Sequence, residues 1–69
     1  MRLEPHQQRV LDEKTDLDEK ITKLVAFMET RIFDGLCQDE QDRLNRQCEA
    51  MLDYSRVLGE RIAAFDHAC

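Results

Sequence analysis

The sequence predicts an all-α chain, an antiparallel two-helix hairpin that dimerises into a four-helix bundle. Three observations predict it. Apolar residues recur every three or four positions through both halves of the chain. The residues that break helices are few, one proline and two glycines, and only Gly35 stands where a central interruption belongs. No stretch of four or more residues alternates in the manner of a strand. The 69 residues suffice for a single domain, residues 1–69, of a size at which one chain seldom builds enough core alone.

Helix one is expected over about residues 5–33. Pro5 suits a first turn, where its missing N–H has no partner to lose. The stripe runs Val10, Lys14, Leu17, Ile21, Leu24, Met28, with Lys14 as the one misfit, and drifts onto Val25 and Ile32 as 3.6 residues per turn require. A turn follows over 34–37, where Gly35 is expected in the left-handed conformation that ends helices. Helix two is expected over about 38–66, opened by Cys37 as a weak cap with Glu40 in the capping-box position. Its stripe is more regular: Leu44, Cys48, Met51, Ser55, Leu58, Ile62, Phe65. Folding about Leu36 sets Met28 by Leu44, Leu24 by Cys48, Ile21 by Met51, Leu17 by Ser55 and Val10 by Ile62. Apolar residues beside this seam, Leu11, Val25, Ile32 and Leu52, with Gly59 permitting close approach, form the expected dimer interface.

Composition excludes several functions. The longest apolar run, Leu24–Met28, is far short of the roughly 20 residues of a membrane span. The segment Met1–Gln8 turns polar at once, so no secretory signal is expected. Ten basic residues against 15 acidic ones give a net charge of −5, the wrong sign for a protein that binds nucleic acid directly. Cys37, Cys48 and Cys69 form no CxxC pair, so a reduced, cytoplasmic protein is expected.

Nothing in the chain points to catalysis: a phosphate-cradling glycine loop, GxSxG and HExxH are all missing, and a hairpin offers no concave pocket. We therefore expect no enzyme and no cofactor. Glu4, His6, His67 and Cys69 are of zinc-ligating types and return to one end of the hairpin. Terminal segments give such ligands no ordered support, so a chance cluster and no metal are expected. Arg43, Arg46, Arg56 and Arg61 are interleaved with acids and form no stripe, although a few could grip a phosphate at an oligomer interface. The acids of 12–19 are the clearest electrostatic feature. Part of them support the helix through the pairs Asp16–Lys20, Glu19–Lys23, Asp39–Arg43 and Asp42–Arg46. The remainder favour a basic partner protein, bound by Asp12, Glu13 and Asp16 with Tyr54 and Phe27 as aromatic anchors.

The stretches His6–Val10, Glu13–Ile21 and Tyr54–Ile62 resemble a broad group of tiny bacteriophage proteins, over about residues 6–65, and within it the quorum-sensing anti-activators of Mu-like Pseudomonas phages. The resemblance implies a dimeric helical protein that takes over host functions. It would hold a LuxR-type transcription activator at its DNA-binding region and restrain the ATPase of type IV pilus assembly. It assigns no binding residues. Other phage proteins of this shape inhibit CRISPR complexes or absorb cyclic nucleotide signals, and a structural coiled-coil component of the virion is a further alternative.

Overall fold

The computed structural model describes residues 3–66. Among them the secondary structure is entirely helical: α1 (Pro5–Met28), α2 (Arg31–Asp34) and α3 (Gln38–Ala63), followed by a 3-10 turn over Ala64–Asp66. The two long helices pack together as a thin rod of 49 × 18 × 14 Å.

Pro5 occupies the first turn of α1, and the amide of Glu4 donates to Gln7 Oε1 at 2.8 Å, satisfying one of the donors a helix start leaves over. The first helix then stops five residues before the expected Phe33. Thr30 is the cause. Its hydroxyl donates to the Phe27 carbonyl at 2.6 Å and accepts from the Phe33 amide at 3.3 Å, so one side chain closes α1 and caps α2. Gly35 departs from expectation as well. Its φ of −83° is right-handed, and the described residues contain no positive φ. The reversal is made instead by the break at Glu29–Thr30 together with extended backbone at Cys37. Gln41 secures the turn from α3: its side-chain amide lies 3.0, 3.3 and 3.1 Å from the carbonyls of Phe33, Asp34 and Leu36. Those carbonyls lie where a helix end leaves acceptors unpaired.

Cys37 is the N-cap of α3, as expected, but makes no side-chain capping bond. Glu40 does not serve the cap box; it pairs with Arg43 at 2.8 Å. The ion pairs of the described residues are Lys14–Asp18, Glu40–Arg43, Asp53–Arg56 and Arg56–Glu60, and none of the four expected pairs is among them. Exposed helix pairs differ by only a few tenths of a kcal/mol, so neighbouring partners exchange at little cost.

The core is small. Val10, Leu17, Ile21 and Leu58 form its buried cluster, with Met51, Ile62 and Phe65 packed against it and Cys48 buried nearer the turn. Among the described residues only Leu58 is sealed from solvent, at 1% exposure. The register follows the expected one to within a residue: Asp18 meets Ser55, and Lys14 lies against Gly59.

Candidate functional site

Helical periodicity divides the hairpin into two broad sides. At about 100° per residue, Leu11 and Val25 leave the seam on one side of α1, while Arg9, Asp12, Asp16 and Lys20 leave it on the other. The cross-helix contacts of Lys14 with Gly59 and of Asp18 with Ser55 fix which side of α3 faces each. Leu52 and Gly59 accompany Leu11 and Val25. Tyr54 accompanies the charged side.

On that charged side a shallow open groove runs between the long helices, lined by Arg9, Asp12, Glu13, Asp16, Leu17, Lys20 and Tyr54. Four of the five residues expected to bind a partner, Asp12, Glu13, Asp16 and Tyr54, therefore share one surface. Tyr54 is 46% exposed and available as an anchor. The three carboxylates take part in no ion pair of the described residues; the acids that do are Asp18, paired with Lys14, and Glu40, Asp53 and Glu60, paired with arginines. Asp12 accepts a hydrogen bond from the Gln8 side chain at 3.1 Å. Phe27, the fifth residue, is not part of the groove. It is half-buried at the hairpin tip, edge to face with Phe33 at 6.3 Å and 85°. It stands about 16 Å along the axis from Asp16. The break at Thr30 lets Phe33 fold back onto it.

The other side carries the residues expected at a dimer interface. Leu52 is 51% exposed, Val25 is exposed, and Leu11 and Gly59 are half-buried. Ile32, at 68% exposure, belongs to the tip with α2 rather than to this stripe. A Cβ on Gly59 would meet Lys14 Cε at 3.6 Å, so this glycine already makes room for a side chain of its own hairpin.

On the flank of the seam that faces the Leu11–Val25 side lies a polar cluster that the apolar spacing did not disclose. Lys14 Nζ is 2.9 Å from Asp18 Oδ2 and donates to Ser55 Oγ, also at 2.9 Å, while the Ser55 hydroxyl donates to Asp18 Oδ1. The misfit of one stripe and the thin point of the other thus complete each other. Ser55 is only 7% exposed, yet no buried side-chain polar atom of the described residues lacks a partner. The Ser55 hydrogen bond foremost, and then the Lys14 ammonium, hold the Asp18 carboxyl below the usual carboxylate value.

His67 and Cys69, half of the conceivable zinc set, lie outside the described residues, and among the described ones no group of three His, Cys, Asp or Glu could hold a metal. Arg43 is turned to Glu40, and Arg56 to Asp53 and Glu60, so these arginines do not converge on a phosphate. No helix among the described residues is long and apolar enough to cross a membrane.

Fold and surface together define a small helical hairpin that offers open faces rather than an enclosed pocket. The chain belongs to the Sequestin family, whose family model matches residues 4–64. No curated protein and no solved structure matches it significantly.

Proposed function

We propose that this protein is a phage-encoded inhibitor that sequesters a host protein by stoichiometric binding, without catalysis or a cofactor, in the cytoplasm of the infected bacterium. One observation carries the reading: Asp12, Glu13, Asp16 and Tyr54 converge on a single groove, with the carboxylates unengaged by the chain's own cations. The family name, Sequestin, supports sequestration as the mode of action. The preferred target is the DNA-binding region of a LuxR-type quorum-sensing activator. Any such region must be basic to hold DNA, and an acidic groove competes for that charge. A second target, the ATPase of type IV pilus assembly, rests on the resemblance alone.

Self-association belongs to the same proposal. The chain exposes 5438 Å², against about 4,500 Å² for a compact monomer of this mass. The excess is comparable to the roughly 800 Å² that each partner of a standard interface buries. Pairing through Leu11, Val25, Leu52 and Gly59 covers these residues together with the Lys14–Asp18 pair beside them, and leaves both acidic grooves facing outward.

The test is displacement of a LuxR-type activator from fluorescent operator DNA. One groove should be consumed per activator subunit, and Asp12→Lys, Glu13→Lys, Asp16→Lys combined should abolish displacement. Equal displacement by that variant would remove the groove from the mechanism. Sedimentation of wild type and a Val25→Glu, Leu52→Glu variant tests the pairing: a wild-type monomer at high concentration would refute it.

A further inference from the structure

The order of charges along the groove is more specific than its net sign. Arg9, Asp12, Glu13, Asp16 and Lys20 fall at i, i+3, i+4, i+7 and i+11 on α1, which is one stripe about 16 Å long. It reads base, acid, acid, acid, base, and none of the five enters an ion pair of the described residues. Tyr54 reaches the same groove from α3, beside its acidic centre.

A groove between two antiparallel helices suits a third rod of the same kind, since helices pack at 8–10 Å between axes. An added strand finds no footing, because the long helices spend their backbone groups internally and no sheet edge exists among the described residues.

We propose that the groove selects a partner α-helix bearing the complementary stripe, acid–base–base–acid at i, i+4, i+7 and i+11, with an arginine at an inner position stacked on Tyr54. Arginine fits better than lysine, because its flat guanidinium covers an aromatic ring while forking onto a carboxylate. Arg9 and Lys20 repel a uniformly basic helix at its ends and attract one with acidic flanks, so they confer selectivity that the acidic centre lacks. The inference rests on the groove being the sequestration surface and adds what that surface reads.

Two stapled, labelled helical peptides of identical composition and zero net charge test it by fluorescence anisotropy with the full chain. One carries Glu–Arg–Arg–Glu on the stripe, the other Arg–Glu–Glu–Arg. The first should bind about ten-fold more tightly or better. Exchanging the protein's own charges (Arg9→Glu, Asp12→Arg, Glu13→Arg, Asp16→Arg, Lys20→Glu) should reverse the preference, with helicity checked by circular dichroism. Tyr54→Phe should retain the preference, while Tyr54→Ala, or lysine for arginine in the peptide, should weaken binding several-fold. Equal affinities, a reversed order in the wild type, or indifference to Tyr54→Ala would overturn the proposal. If the peptides bind equally while the charge-exchanged protein loses the host activator, only the charge order is wrong. If the exchanged protein still holds the activator, the groove reading falls with it.

Discussion

Leu58→Ala isolates the part of the stability that one hairpin supplies to itself. Leu58 is the single side chain sealed from solvent among the described residues, packed within the cluster of Val10, Leu17 and Ile21. Truncating a buried leucine costs about 2–5 kcal/mol, and a two-helix seam, open along both edges, relaxes enough to keep the cost near about 2–3 kcal/mol. A domain of this length holds on the order of 3–10 kcal/mol in total, so from about a fifth to nearly all of the margin is at stake. At about 4–8 °C per kcal/mol, the midpoint should fall by roughly 10–20 °C. Thermal melting followed at 222 nm over a hundred-fold range of protein concentration measures this. The loss for Leu58→Ala should be the same at every concentration. Leu52→Ala, which removes a half-exposed side chain, should cost under about 1 kcal/mol in dilute solution and more as the protein is concentrated. A midpoint shift below about 4 °C for Leu58→Ala would refute the seam as the organising core.

Gly59→Ala should stabilise the hairpin by about 0.5–1 kcal/mol in dilute solution, because the added methyl meets Lys14 at ordinary contact distance and alanine is the better helix former, while self-association should weaken. Gly35→Ala should also be tolerated or mildly stabilising in denaturant melts, since its φ is negative and its Cβ would lie 3.6 Å from the nearest carbonyls. Ser55→Ala should raise the Asp18 pKa toward its ordinary value of 3.8, seen by carboxyl NMR titration. A carboxyl whose folded pKa is lowered stabilises the fold above its unfolded value, and loses that contribution as the pH falls through the lowered folded one. The stability gap between wild type and Ser55→Ala should therefore narrow below pH 3.8. Gln41→Ala should leave the seam intact and speed amide exchange in α2 and the turn, because the carbonyls of Asp34 and Leu36 lose the side-chain donor and that of Phe33 keeps only the Leu36 amide.

The helical class, the pairing of the long helices and their register were legible because each depends on periodic burial, which sequence records directly. Leu44 through Phe65 state the stripe outright. The end of α1 was not legible from periodicity, since Ile32 and Phe33 continue the apolar rhythm past the break. The signal was local: Thr30, three residues ahead of Phe33, is a good N-cap. The Lys14–Ser55–Asp18 cluster escaped because each stripe, read alone, shows only a flaw, and the two flaws match only after the chain is folded. Asp12, Glu13 and Asp16 stand out by their density in the sequence. Their framing by Arg9 and Lys20 follows from the periodicity of helix one alone, whereas their meeting with Tyr54 needed the second helix in place. The place of Phe27 apart from the groove was not legible, because an aromatic near the end of a helix looks alike whether it faces outward or packs on a neighbouring ring at the tip.

A lysine and a serine sharing one layer of an otherwise greasy seam act as a detent. Slide α3 by one turn in either direction and the ammonium keeps Asp18 on its own helix but faces Met51 or Leu58 instead of a hydroxyl, and Asp18 loses the serine as well. Aliphatic side chains alone would forgive that slip, because one substitutes readily for another. Two long cylinders with so little between them thus keep a single alignment, and every groove and stripe on the outside inherits its geometry from that notch.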